Sequence, residues 1–526
     1  MTMRLLFAWR LWALASLGVL ALLGWFGLQI LFASPSLRVQ YTPDDAYYYF
    51  QLAKNLTRFG TWTFDGGVSV TSGFHLIHAY WLALVFAVTQ PTTENFVSLG
   101  LVSSCATTLL AGGMAWGIGW RIQSTVYFMT LTWLASTSNV AFNSISATEW
   151  SLTVLCALLY YLAVAHWFRD TRKRVWLTLF ALGMLGTLAR SDFGLIPLGL
   201  FSGAAFVYLL TRQRGMLFQT FVGLCGAAFG VLLVFWHNYL FTGEITQSSA
   251  LMKAYWAQLY PIRFLSSVQL PPRLLGLSLG APLDELIFCV VIGAATSYLL
   301  LVYFRVELPR LRQNQTTPRG VVLVIASTFT LGSYLIFYAN NAAVQPWYTG
   351  VLLVPAFVLV YSLGNFLNEI LRPHTFLRAT FGVFVVVIVA HNVLTFLPIG
   401  STDAPWPYQR ALQNAGKFLA AHPLDARVGA WNSGILGYYQ GGTLVNLDGL
   451  VNNDIYAYAV SNTLPTYLSQ KQIRYLVDYE NVMEAPYMRQ RGGYDDPSFI
   501  SKLYVRQVLD ANNYGYGRLA LYEIAP

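Results

Sequence analysis

Apolar residues along this chain come in long blocks, not in the one-faced or alternating patterns of a water-soluble domain. Twelve blocks stand out, at about 11–33, 76–90, 94–119, 124–141, 149–168, 175–189, 193–211, 216–240, 284–304, 320–339, 347–370 and 379–398. A helix needs roughly 20 apolar residues to cross a bilayer, so these blocks predict transmembrane helices. The block at 76–90 is short and follows His75, which also suits a re-entrant or interfacial helix. Beyond 400 the pattern changes: "PIGSTDAPWPYQR" breaks the last block. A helical stretch at 408–421, a strand-like "ARVGAW" at 426–431 and a turn-rich "LVNLDGLVNND" follow, as in a small α/β domain.

Composition agrees. The 526 residues are 56% hydrophobic and only 10% charged, against roughly a quarter charged in a soluble domain, which excludes a soluble enzyme, a nucleic-acid-binding domain and a disordered chain. The net charge of +9 is a topology signal: residues 401–526 hold ten basic and eleven acidic side chains, so the whole excess lies in the apolar part. Placing the basic loops Arg169/Arg172/Lys173/Arg174, Arg212/Arg214, Arg305/Arg310/Arg312/Arg319 and Arg372/Arg378 in the cytoplasm is consistent from 149 onward. Arg4 and Arg10 put the N-terminus inside as well, and 11–33 reads as a first span, not a cleaved signal. The expected fold is a polytopic α-helical membrane protein with an odd number of transmembrane helices, 11 or 13. Residues 1–399 form the membrane module, with a first outside loop at 34–75 and a long one at 241–284, and 400–526 form an extracytoplasmic α/β domain. Between the first loop and Glu149 an even number of crossings is required where three blocks stand, so one fails to span or one is hidden. The four cysteines all lie in apolar blocks, which argues against a disulfide framework or a cysteine metal site.

The outside loops carry the candidate chemistry. Asp44 and Asp45, in "YTPDDAYYYFQLAKNL", offer a general base and a second carboxylate, while Pro-Asp before an apolar run is equally a helix start, with Asp44 capping a helix from Ala46. Glu149 opens a span, where the helix dipole favours a carboxylate regardless of function. Arg190 and Asp192 form either a structural clasp or part of a site. In the long loop, Glu244, Gln247 and Lys253 sit among aromatic residues, and Lys253 can hold a lipid phosphate or simply snorkel to the interface. The His75/His78 pair could bind a metal together with the nearby aspartates, but with no cysteine among these groups and no HExxH a divalent metal is possible and not expected. These groups fall on one face, in a topology drawn from other residues, and such clustering of ionisable groups near lipid marks a site. No Walker A or dinucleotide fingerprint is present.

"DDAYYYFQLAKNLTRFGTWTFDGG…TSGFH" resembles the first-loop signature of bacterial GT-C fold glycosyltransferases, whose relatives include protein O-mannosyltransferases, aminoarabinose transferases and mycobacterial arabinofuranosyltransferases. In order, "ISATEW" is similar to their Gly-Met-Glu element, "LARSD" to Arg-Pro-Asp, "TGEITQSSALMK" to the Gly-x-x-x-Pro-Asn-Thr…Lys loop, and "VNLDGLVN" to the Asp-Gly-Leu turn of the C-terminal domain. Departures are Ser191 for Pro, Gln247-Ser248-Ser249 for Pro-Asn-Thr, and Trp347-Tyr348 for an Arg-Tyr pair, the last removing one phosphate-binding arginine.

The resemblance implies an enzyme of the bacterial inner membrane and cell envelope, with its site and C-terminal domain on the periplasmic side. It would move a sugar from a polyprenyl-phosphate carrier to an acceptor hydroxyl on a glycan, lipid or protein. The transfer would be an inverting direct displacement needing no cofactor. Asp44 would be the base and Asp45 would position sugar or acceptor; Lys253 would bind phosphate, and His75, Glu149, Arg190, Asp192, Glu244 and Tyr348 would bind substrate. A lipid or solute transporter and a non-catalytic membrane scaffold are the alternatives. A transporter is expected to place its ionisable groups near mid-bilayer and to show an internal repeat, and neither is present in the sequence.

Overall fold

The computed structural model describes residues 3–167, 173–212, 214–259, 269–276, 282–313, 318–339, 344–371, 375–399 and 404–525. Arg169, Arg172 and Arg372 of the basic loops, and part of the long loop at 241–284, lie outside the described residues. Among the described residues seven helices are long and apolar enough to cross a membrane: Ala8–Phe32, Thr93–Ile122, Ser191–Thr211, Arg214–Thr242, Asp284–Arg312, Arg319–Ala339 and Leu353–Ile370. Five shorter apolar helices, Leu76–Thr89, Thr125–Ala135, Trp150–His166, Arg174–Ala189 and Gly382–Phe396, account for the other blocks.

The Leu76–Thr89 helix does not run from one end of the bundle to the other. Its 14 residues give about 21 Å at 1.5 Å per residue, short of the roughly 30 Å hydrocarbon layer. At its start His78 Nε2 lies 2.9 Å from the Ala147 carbonyl, and just past its end the Thr93 carbonyl accepts the Tyr438 hydroxyl at 2.7 Å. Glu94 accepts the Tyr439 hydroxyl at 3.1 Å, and just before the helix the Ser72 N–H donates to Asn453 Oδ1 at 2.9 Å, so both ends of this helix sit beside the C-terminal domain. Thr93–Ile122 then descends to the opposite end, where Trp120 meets Trp9 at 5.1 Å and Trp9 stacks on Phe128 at 6.1 Å. The return pass is broken: Thr125–Ala135 stops at Ser136, and Ser138–Ser144 restarts under a Thr137 cap. With Leu76–Thr89 set aside, eleven apolar helices remain among the described residues, and Thr93–Ile122 with its broken return brings Glu149 back to the end that holds His75.

Small residues let the passes approach closely. Lys173–Ala189 and Arg214–Thr242 run parallel, with Phe180 against Gly226 and Met184 against Gly230; a Cβ on Gly226 would strike the Phe180 carbonyl. Leu195–Thr211 runs antiparallel to Pro318–Ala339 through Gly199 against Ala326 and Gly203 against Val322.

The C-terminal region is built on a five-stranded sheet. The strands β1 (Arg427–Ala430), β2 (Val445–Asn446), β3 (Ile473–Tyr479), β4 (Leu503–Asp510) and β5 (Leu519–Ile524) stand in the order β2-β1-β3-β5-β4. β1 is parallel to β2 and β3, while β5 is antiparallel to β3 and β4. Short apolar β1 and β3 are buried almost throughout, whereas β4 shows its face to solvent and closes the edge with Arg506 bridged to Glu523. Gln409–Ala421, close to the expected 408–421, packs on Ser433–Gln440, and that helix packs on Asp44–Phe59 of the first loop.

Candidate active site

The Asp44–Phe59 helix begins two residues earlier than the sequence suggests, with Pro43 as its cap residue and both aspartates in the first turn, where the helix dipole favours them. Gly60 ends it in the left-handed conformation at φ 70°. A helix turns about 100° per residue, so the adjacent carboxylates point apart. Asp44 therefore does not cap its own helix. Its Oδ1 accepts the Ile435 N–H at 2.7 Å and its Oδ2 the Gly434 N–H at 3.2 Å, the orphan donors at the start of Ser433–Gln440. The residue that would ordinarily supply that cap, Asn432, is spent on Asp478, with Nδ2 donating to Oδ1 at 2.6 Å. Asp44 thus staples the first loop to the C-terminal domain, and only Asp45 of the pair lines the cavity.

That cavity encloses about 600 Å³ and is walled by the first loop, three helix ends, the 246–253 segment and Leu450 of the C-terminal domain. Asp45, His75, Glu149, Arg190, Asp192, Lys253 and Tyr348 all line it, so seven of the nine predicted site residues meet in one place. Asp44 and Glu244 do not; Glu244 is exposed and accepts from Asn453 Nδ2 at 3.0 Å in a neighbouring groove.

Arg190 organises one wall. Its Nη1 donates to Glu149 Oε1 at 2.5 Å, its Nε to Asp192 Oδ1 at 2.8 Å and its Nη2 to Asp192 Oδ2 at 3.0 Å. Tyr49 donates to Glu149 Oε2 at 3.1 Å, His75 Nε2 stands 3.7 Å from Oε1, and Tyr338 and Tyr334 donate to Asp192. With its charge matched twice, this arginine is a scaffold more than a free cation. Lys253 is the contrast. Among the described residues no carboxylate lies within ion-pair distance of it; its ammonium donates to the Tyr348 hydroxyl and sits 4.9 Å from that ring, which the Arg190 guanidinium also approaches at 4.3 Å. Trp347, standing where the resemblance expects an arginine, is buried beside Tyr348 in the turn Pro346–Gly350 and adds no charge.

Asp45 faces this cation across the cavity. Burial pushes its carboxyl up to about 6, with Lys253 pulling it down and Asp448 and Glu149 pushing it further up. A base in that range is ionised at neutral pH yet basic enough to take a proton in a transition state. Asp448 is held by the domain, accepting from Asn446 and the Leu450 N–H at 2.7 Å each, and Tyr48 donates to it at 2.8 Å. Sequence reading missed Tyr48 and Tyr49 as fixers of the acidic residues, and Tyr334 and Tyr338 altogether; an i, i+4 tyrosine pair ending an apolar helix was the available signal. No group of three His, Cys, Asp or Glu that could hold a metal gathers among the described residues, and His78 is bonded to the Ala147 carbonyl instead.

The fold has counterparts among solved structures. The oligosaccharyltransferase of Archaeoglobus fulgidus, crystallised with a tethered acceptor peptide, superposes with a TM-score of 0.51 at 10% identity, over 93% of this chain and 72% of that one. The chain has the GT-C fold. A second GT-C structure, ArnT from Cupriavidus metallidurans bound to undecaprenyl phosphate, gives a TM-score of 0.49 at 12% identity over 97% of this chain and 98% of that one. A family profile described as a domain of unknown function (DUF8728) matches residues 403–522, the region beyond the GT-C helices. No curated protein sequence matches the chain significantly.

Proposed function

We propose that this chain is a membrane glycosyltransferase that takes a sugar from a polyprenyl-phosphate carrier and attaches it to an acceptor hydroxyl on the extracytoplasmic face. The observation that carries this reading is the pairing, across one cavity of a GT-C fold, of a half-buried carboxylate, Asp45, with a lysine that has no ion-pair partner among the described residues, Lys253. A lipid-phosphate sugar brings its own leaving group, so the protein has to orient the acceptor, take its proton and stabilise the departing phosphate. Asp45 accepts the proton of the acceptor hydroxyl, the acceptor oxygen forms the new bond to the anomeric carbon, and the bond from that carbon to the phosphate oxygen breaks with its electrons going to phosphate. Lys253 and the Tyr348 hydroxyl receive the added charge, and the anomeric centre inverts. A separate cavity of about 480 Å³, lined by Leu76, Leu84, Leu188, Leu233 and Trp236, opens between the Leu76–Thr89 and Arg214–Thr242 helices and suits the prenyl chain. Asp44, stapled to the C-terminal domain, has no place in this chemistry.

The test is to incubate the purified protein in nanodiscs with radiolabelled polyprenyl-phosphate sugars and envelope glycans, lipids and proteins as acceptors. The reading expects label to leave the carrier and Asp45→Asn to stop it. Label that stays on every carrier offered, or transfer by Asp45→Asn at the wild-type rate, refutes it.

A further inference from the structure

Beside the reaction cavity, across the segment from Gly243 to Leu251, lies a second cavity of about 730 Å³ bounded by the 453–471 stretch of the C-terminal domain. Thr246 lines both, so one strip of backbone separates them. The walls differ in kind. The reaction cavity holds a cation facing a carboxylate, whereas this groove presents the rings of Tyr239, Tyr456 and Tyr458 with the carboxylates of Glu244 and Asp454 and the amide of Gln470. Its one cation, among the described residues, is already used: Lys471 Nζ lies 3.0 Å from Asp454 and donates to the Val68 carbonyl at 3.1 Å. The polar side chains are held in place, Glu244 by Asn453 at 3.0 Å and Gln470 by the Tyr458 hydroxyl at 2.8 Å.

We propose that this groove binds a neutral oligosaccharide, the part of the acceptor that trails behind the hydroxyl being glycosylated. Aromatic faces pack against the C–H faces of sugar rings, and carboxylates and carboxamides accept and donate to hydroxyl groups that carry no charge. A phosphate-bearing polymer would meet two carboxylates and a lysine already paired. A peptide would look for apolar pockets, and the groove offers side chains of that kind only at Ile245, Leu251 and Ala457. The assignment rests on the transferase reading for the word acceptor, but binding itself does not.

The experiment probes the full-length protein in nanodiscs on an array of neutral oligosaccharides of various lengths and on an array of peptides, alongside the transfer assay. The expected result is binding to one or more oligosaccharides, weakened about tenfold or more by Tyr456→Ala and by Asp454→Asn, the loss of a stacked ring or one or two hydrogen bonds. Thermal unfolding at the wild-type temperature excludes misfolding as the cause, and Tyr456→Phe keeps the ring and is expected to bind normally. Binding to no oligosaccharide, binding to peptides alone, or oligosaccharide binding indifferent to both groove variants overturns the proposal. Groove-dependent binding without any sugar transfer would leave this inference standing and sink the transferase reading.

Discussion

Removing the Asp44 carboxylate separates stapling from chemistry, because Asp44 and its neighbour are adjacent in sequence and turned to different tasks. Asp44→Ala deletes both acceptors of the Gly434 and Ile435 N–H groups, and the glycine leaves no side chain nearby to replace them. Losing a cap costs about 0.5–2 kcal/mol and two donors are stranded here, which puts the loss at the upper end, so docking of the C-terminal domain should weaken by about 2 kcal/mol, or roughly 30-fold in the population of the undocked form. The readout is limited trypsin digestion in nanodiscs after Arg410 and Lys417, whose rate follows the open population when reclosing is fast. A pH signature accompanies it. Burial raises the Asp44 carboxyl from 3.8 to about 7, against the pull of the Ile435 N–H. A group that binds its proton more tightly folded than unfolded contributes most below about pH 4 and loses that contribution as pH rises through about 7. Asp44→Asn, which cannot ionise, should flatten the pH dependence of docking over that interval while keeping one acceptor oxygen. If Asp44→Ala is cleaved at the wild-type rate and yet transfers no sugar, the staple is wrong and Asp44 acts on the substrate.

Asp45→Asn should lower kcat by about 10²–10⁴ with an unchanged melting temperature, measured by single-turnover transfer and tryptophan fluorescence. Wild-type transfer should fall as pH drops through about 6, where Asp45 gains its proton, and Asp45→Asn should lose that inflection. Lys253→Met should cut donor affinity or kcat/KM by about 10- to 100-fold, the worth of a charge-assisted contact to phosphate, with Lys253→Arg recovering part; equal turnover in Lys253→Met would discard the lysine's role. Arg190→Gln strands Glu149 and Asp192 in a buried wall at about 3–5 kcal/mol, so it should fail at the level of folded yield in detergent chromatography, and a well-folded variant would contradict the scaffold role.

The long apolar blocks and the basic loops between them were enough to read most of the passes and the end on which the polar groups gather, because both are set by transfer from water to lipid, which each residue feels locally. The 76–90 block was ambiguous for the same reason: hydropathy is the same for a helix that crosses and one that lies against the Asp44–Phe59 helix, and only the contacts of His78 and Thr93 tell them apart. The seven of the nine expected residues that line one cavity were legible as rare charged or polar groups at block ends. The roles of Asp44 and Glu244 were not, since they depend on partners almost 400 and about 200 residues away, Ile435 and Asn453. The sheet was the least legible part. Only β1 carried a strand pattern strong enough to read, and β2 is two residues long.

The Leu76–Thr89 helix starts and finishes on the same side. Every pass in the bundle fixes the sidedness of all that follows it, so losing one would turn the later loops, and the C-terminal domain with them, to the wrong face. This segment alone among the described apolar helices carries no such debt downstream. It can be lengthened, shortened or exchanged without inverting the chain, and it forms one wall of the apolar cavity between Leu76 and Trp236. Of all the apolar segments, it is therefore the one through which the size of that cavity can drift during evolution while the topology stays fixed.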